Sequence, residues 1–127
     1  MAPAILALDD DSGVLTLLNI ALTNAGFDVT TCESIAAYRS TKATQDFDVF
    51  LIDGGLPDGD GFALAEELRK ETQAGIILLT GQSADGDRDA GLAHGADDYV
   101  TKPFRLRDLA QRVQKVHEIA SARRGRG

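Results

Sequence analysis

The chain of 127 residues has no tryptophan, one cysteine, one methionine, two histidines and three prolines. A single cysteine, Cys32, excludes an internal disulfide and fits a reducing compartment. The isolated His94 and His117 do not form, with that cysteine, a His/Cys cluster of zinc spacing. No apolar run approaches the roughly 20 residues that a membrane helix needs. The opening MAPAILALDDD has a short apolar stretch that acids follow at once, which is not a signal-peptide pattern. These absences predict a cytoplasmic location and no membrane contact.

What is present suits one ordinary domain, long enough for a real core. The net charge of −7 hides an asymmetry. Residues 1–104 hold 6 Lys and Arg against 18 Asp and Glu, a net −12; residues 105–127 hold 7 against 2, a net +5. No aromatic residue interleaves with the arginines of the closing SARRGRG, so that stretch reads as a solvated end or the start of a linker. The expected division is a domain over 1–120 and a basic tail over 121–127.

Apolar runs alternate with amphipathic stretches along the chain. Strands are expected at 4–8, 27–31, 49–52, 76–80 and 98–101. Ser12 is the expected cap of a first helix that carries Val14, Leu15, Leu17, Leu18, Ala21 and Leu22 at helical spacing and stops at Gly26. Further helices are expected at 34–43, 62–71, 84–93 and 106–120. The strands are nearly all apolar rather than alternating, which suits a parallel sheet covered on both faces. Five β–α units predict an α/β, doubly wound (βα)5 fold with a five-stranded parallel sheet. In such folds the working site lies beyond the carboxyl ends of the strands.

Those ends carry a distinctive set. Asp9, Asp10 and Asp11 follow the first strand, Asp53 the third, Thr80 and Gly81 the fourth, and Lys102 with Pro103 the fifth. Clustered carboxylates raise one another's pKa unless a cation intervenes. Mg²⁺, with its preference for carboxylates, waters and phosphate oxygens, meets that need. A divalent ion, a spare carboxylate, a hydroxyl and a lysine are equipment for phosphoryl transfer, and an aspartate can itself accept the phosphoryl group. In DGGLPDGDGF, Gly54 and Gly55 permit close backbone approach and offer a carbonyl ligand. Pro57, Asp58 and Gly59 turn the chain, and Asp60-Gly61 starts the next helix.

The pieces ILALDDD, FLIDGGLPDGDGF, IILLTG and GADDYVTKPF, in that order, resemble the receiver domain of bacterial two-component response regulators over about residues 4–120. The resemblance implies a flavodoxin-like sheet of order 2-1-3-4-5. It implies Asp53 as phosphoacceptor and Mg²⁺ held by Asp10, by Asp9 largely through water, by Asp53 and by the Gly55 carbonyl. It implies Thr80 and Lys102 on the phosphoryl oxygens, a cis bond before Pro103, and Tyr99 as a switch aromatic that turns inward. The implied phosphodonor is a sensor histidine kinase or phosphotransfer protein. Such a domain is a switch that catalyses its own phosphorylation and dephosphorylation only.

The stretch DRDAGLAHGADDYVTKPFRLRDLAQRV resembles the OmpR/PhoB-like subfamily, whose members attach a DNA-binding domain and dimerise through the fourth helix, fifth strand and fifth helix. Arg88 with Asp97, and Asp98 with Arg112, match charged pairs of that face. A phosphorylation-favoured homodimer is expected, with DNA contacted only through a C-terminal domain absent from this chain. Gly54 replaces a larger residue of relatives, and Gly55 and Gln82 occupy positions that tune phosphoryl hydrolysis there. The expected phosphoryl lifetime is longer than that of fast chemotaxis receivers.

Plainer readings stand beside these. Asp11, Asp58 and Asp60 read as helix-start and turn residues, Cys32 as a small core residue, and His94 and His117 as surface residues. Arg88, Asp97, Asp98 and Arg112 alone would be ordinary exposed ions. Two other functions remain: a small Mg²⁺-dependent phosphohydrolase of the haloacid-dehalogenase kind, whose first motif LDDDSGVLT superficially resembles, and an unphosphorylated pseudo-receiver that serves as a docking module.

Overall fold

Each apolar run offered as a strand is a strand of one parallel sheet. The computed structural model describes residues 2–42, 45–81 and 95–125. Within them lie β1 (Ala4–Leu8), α1 (Ser12–Asn24), β2 (Asp28–Cys32), α2 (Ile35–Lys42), β3 (Val49–Asp53), β4 (Gly55–Leu56), β5 (Gly59–Asp60), α3 (Gly61–Glu71), β6 (Gly75–Thr80), β7 (Asp98–Thr101) and α4 (Leu106–Gly125). The expected helix at 84–93, with Gln82, Arg88 and His94, lies outside the described residues.

The five-stranded sheet has the order β2-β1-β3-β6-β7, every neighbouring pair parallel. This is the 2-1-3-4-5 arrangement that the sequence implied. Alternate residues of β1, β3 and β6 feed two separate cores, which is why those runs are almost wholly apolar, whereas the edge strands β2 (DVTTC) and β7 (DYVT) carry polar residues. On one face Leu6, Leu8, Phe50, Ile52, Ile76, Leu78 and Tyr99 pack with Tyr38 of α2 and Leu64, Ala65 and Leu68 of α3. On the other, Ile5, Ala7, Val49, Leu51, Ile77, Leu79 and Val100 pack with Leu15, Leu18 and Leu22 of α1 and Leu109, Val113 and Val116 of α4. Each such side chain contributes about 2 kcal/mol through burial.

Local chemistry sets the element ends. Asp11, not Ser12, caps α1: its Oδ1 accepts from Gly13 N at 2.9 Å and Val14 N at 3.2 Å. Ser12 is the first helical residue instead. Gly26 leaves the helix at φ 99°, a left-handed conformation that favours glycine. Asp60 caps α3 by accepting from Phe62 N at 2.8 Å. The last helix runs past 120 because its basic end is anchored rather than solvated. Arg123 Nη1 lies 2.7 Å from Asp97 Oδ1 and Arg124 Nη1 2.7 Å from Asp48 Oδ1. The hairpin β4–β5 had no counterpart among the expected elements.

Candidate functional site

Strand register brings the chemical residues to one edge. Leu8 is level with Ile52, and Asp53 with Leu79, while Thr80 is level with Thr101. The next residues along these strands, Asp9, Asp53, Thr80 and Lys102, therefore emerge together at the carboxyl ends. Asp9, Asp53 and Thr80 are the buried polar residues among those described, with exposures of 0%, 8% and 7%. Asp10 is exposed at the rim.

Asp9 is held on both oxygens. Its Oδ1 accepts from Asp11 N at 2.9 Å and its Oδ2 from Lys102 Nζ at 2.6 Å. The same ammonium lies 3.7 Å from Asp53 Oδ2, so one lysine lies between two buried carboxylates. Its backbone N–H donates to Thr80 O at 2.6 Å, and its bond to Pro103 is cis. Burial alone would lower the Lys102 pKa, but the Asp9 hydrogen bond and the Asp9 and Asp53 charges prevail and raise it.

Asp53 shows the opposing tension. Burial pushes its carboxyl above the ordinary range, and the Asp9 carboxylate pushes the same way. The Gly55 N–H, 3.3 Å from Asp53 Oδ1, and Lys102 pull it down without prevailing. Gly54 N donates to Leu79 O at 2.8 Å, and Gly61 N to Gly54 O at 3.1 Å, which ties the following loop to the sheet. Gly61 is there because a Cβ would lie 2.0 Å from the Asp53 carbonyl oxygen.

One carboxylate oxygen from each of Asp9, Asp10 and Asp53 lies within 4.8 Å of the others. All three are hard oxygen donors, and burial together with the Asp9 charge raises the Asp53 pKa. Such a donor set fits Mg²⁺. No described helix is long and apolar enough to cross a membrane.

The remaining expected residues are distributed differently. Tyr99 is buried in the core on the face of the sheet that α2 and α3 cover. Asp98 and Arg112 pair within the chain at 3.0 Å, and Arg112 Nε also lies 3.3 Å from Asp108 Oδ2. Asp97 is engaged internally by Arg69 at 3.3 Å, by Arg123 and by Ile76 N at 3.0 Å. Its proposed partner Arg88 lies outside the described residues. Arg69 and Arg123 carry no signal in the sequence, since nothing local marks a partner that far along the chain.

A doubly wound parallel sheet with acids, a hydroxyl and a lysine at its carboxyl edge is the architecture of a receiver domain. The family model for the response regulator receiver domain matches residues 5–114, and the chain belongs to that family. It is 40% identical over 112 residues to the TorCAD operon transcriptional regulatory protein TorR of Escherichia coli K12, covering 88% of this chain and 49% of TorR. A CheY-like receiver domain protein from Methanospirillum hungatei superposes with TM-score 0.89 at 26% identity, covering 97% of this chain and 99% of that one. Response regulator DrrB, a Thermotoga maritima OmpR/PhoB homologue, superposes with TM-score 0.84 at 31% identity over 93% of this chain and 54% of its own. The chain spans about half the length of the curated relatives it matches. Membership in the receiver family replaces the haloacid-dehalogenase alternative.

Proposed function

We propose that the chain is a phosphorylation-controlled switch in which Asp53 accepts a phosphoryl group from a phosphohistidine of a sensor kinase or phosphotransfer protein. The observation that carries this reading is Lys102 between the buried Asp9 and Asp53, at the edge where strand register also delivers Thr80. An oxygen of the ionised Asp53 carboxylate bonds to phosphorus while the bond from phosphorus to the imidazole nitrogen breaks, and the nitrogen keeps that electron pair. The Lys102 ammonium and the Thr80 hydroxyl bind the transferred oxygens. Asp9, Asp10, Asp53 and the Gly55 carbonyl would hold Mg²⁺, which supplies neutralisation of the oxygens' charge.

A protein donor has a surface to rest on. Leu17 and Ile20 of α1 are 53% and 56% exposed. A cavity of about 400 Å³ lined by Val14, Leu17, Pro103, Phe104 and Leu106 reaches Lys102 itself. The added charge of about −1.5 to −2 draws Thr80 and Lys102 toward Asp53 and resets Tyr99 and the surface around β7 and α4. Dimerisation then draws on the charged pairs Arg88 with Asp97 and Asp98 with Arg112. The output is transcriptional, through a DNA-binding domain C-terminal to the receiver, in the cytoplasm. Residues 1–120 form the receiver proper, and 121–127 are a basic tail or the start of a linker. Gly55, with no side chain to orient a water, gives the phosphoryl group a long lifetime.

The test is intact mass after incubation with Mg²⁺ and a small phosphodonor. Wild type gains one phosphoryl group and Asp53→Ala gains none. No gain in a wild type that binds Mg²⁺ would favour the docking module.

A further inference from the structure

The first N–H groups of α2 have no partner within the helix. Ser34 satisfies one: its Oγ accepts from Ala37 N at 3.1 Å. Two others go to a residue 22 and 23 positions further along the chain. Asp58 Oδ1 accepts from Ile35 N at 2.9 Å, and Oδ2 from Ala36 N at 3.0 Å. These two N–H groups hold the Asp58 carboxyl below its ordinary pKa.

Asp58 lies at the tip of the β4–β5 hairpin, between the paired Leu56 and Gly59. The open end of that hairpin is the site: Gly55 pairs with Asp60, and its N–H faces Asp53 Oδ1. The tip is pressed onto α2, because a Cβ on Gly59 would lie 2.6 Å from Ile35 Cδ1. Two-residue strands are too short to order themselves, and four glycines in 54–61 leave the backbone loose. An anchor at the tip restricts that freedom and presents the backbone at the other end in one place.

We propose that Asp58 is a positioning residue: by capping α2 with both carboxylate oxygens it fixes the hairpin that presents the Gly55 backbone beside Asp53. The inference rests on the proposed role of the Gly55 carbonyl toward Mg²⁺. Asp58 touches neither metal nor phosphoryl group. It acts through the hairpin.

The experiment is Mg²⁺ titration by calorimetry on the full 127-residue chain, with amide hydrogen exchange read at Gly55, Ile35 and Ala36. Four proteins are compared: wild type, Asp58→Ala, Asp58→Asn and Ser34→Ala. Asp58→Ala weakens Mg²⁺ binding about tenfold, the low end of what loss of an outer-shell support costs, and speeds exchange at all three amides. Asp58→Asn, which keeps one acceptor oxygen, falls between. Ser34→Ala removes the other cap of the same helix, lowers thermal stability and leaves Mg²⁺ affinity at the wild-type value. Wild-type affinity in Asp58→Ala, or equal weakening in Ser34→Ala, overturns the inference while the site stands. A wild type that binds no Mg²⁺ overturns the site and the inference together.

Discussion

Lys102 Nζ stands 2.6 Å from Asp9 Oδ2, joining residues 93 positions apart through a carboxylate with no exposed surface. The lysine therefore stabilises the protein by itself, apart from the phosphoryl-binding role proposed for it. Lys102→Ala leaves Asp9 half-satisfied beside Asp53. A fully buried orphan of this kind costs about 3–5 kcal/mol, and the partial exposure of Lys102 reduces the expected loss to about 2 kcal/mol. Saturating Mg²⁺ recovers more of that loss in the variant than it adds to wild type, because a cation again faces the carboxylates. Urea unfolding with and without Mg²⁺ measures both, and equal Mg²⁺ effects in the two proteins would contradict this account.

Gly61→Ala places a methyl group 2.0 Å from the Asp53 carbonyl oxygen, a backbone atom that cannot swing aside. The expected cost is about 3 kcal/mol, the upper range for overpacking. Phosphorylation from a small donor falls with it, since the residue displaced carries the acceptor. Thermal unfolding and intact mass report the two effects separately.

Alkaline pH selects Tyr38. Burial first, and then the Glu71 charge, push its phenol from 10.0 up to about 12. Its ring meets Phe50 edge-on at 5.8 Å. The neutral form is favoured in the fold, so the contribution is complete below pH 10 and is lost as pH rises through 12. The loss attributable to this residue is roughly 2–3 kcal/mol. Tyr38→Phe should flatten the stability profile over that window, and a phenolate absorbance titration should show one late-titrating tyrosine missing.

Arg123→Ala removes two hydrogen bonds to Asp97 and two to the Gln73 and Ala74 carbonyls. With its side chain about one-third exposed, the expected cost is about 1–2 kcal/mol, accompanied by fraying of the last turn of α4. A double-mutant cycle with Asp97→Asn isolates the pair. Additive losses would mean that the contact contributes nothing.

The sequence carried the sheet and its chemical edge, because both rest on local signals. A buried parallel strand must be apolar on both faces, and a carboxylate or lysine directly after such a run is visible as a break. It missed what depends on distant partners. Asp58 looks like a turn residue until α2 arrives to be capped. Asp97 looks like an exposed ion until Arg69 and Arg123 close on it. The closing arginines read as solvated because Asp48 and Asp97 stand far upstream. Asp11 took the cap expected of Ser12 because both are good acceptors at adjacent positions, and only backbone conformation separates them.

The two ends of β7 differ in kind. At its start Asp97 is bolted to α3, β6 and α4 by two guanidiniums and a backbone N–H. At its far end Lys102 is held by its ammonium, between Asp9 and Asp53, and by its own N–H to Thr80. Four residues lie between, an arm of five steps or about 16 Å. A lever pivoting at a fixed fulcrum moves least there and most at its tip. With β7 paired to β6 from Asp98 to Thr101, the end that carries Lys102 is the less firmly tied of the two, and Asp97 is its fixed point.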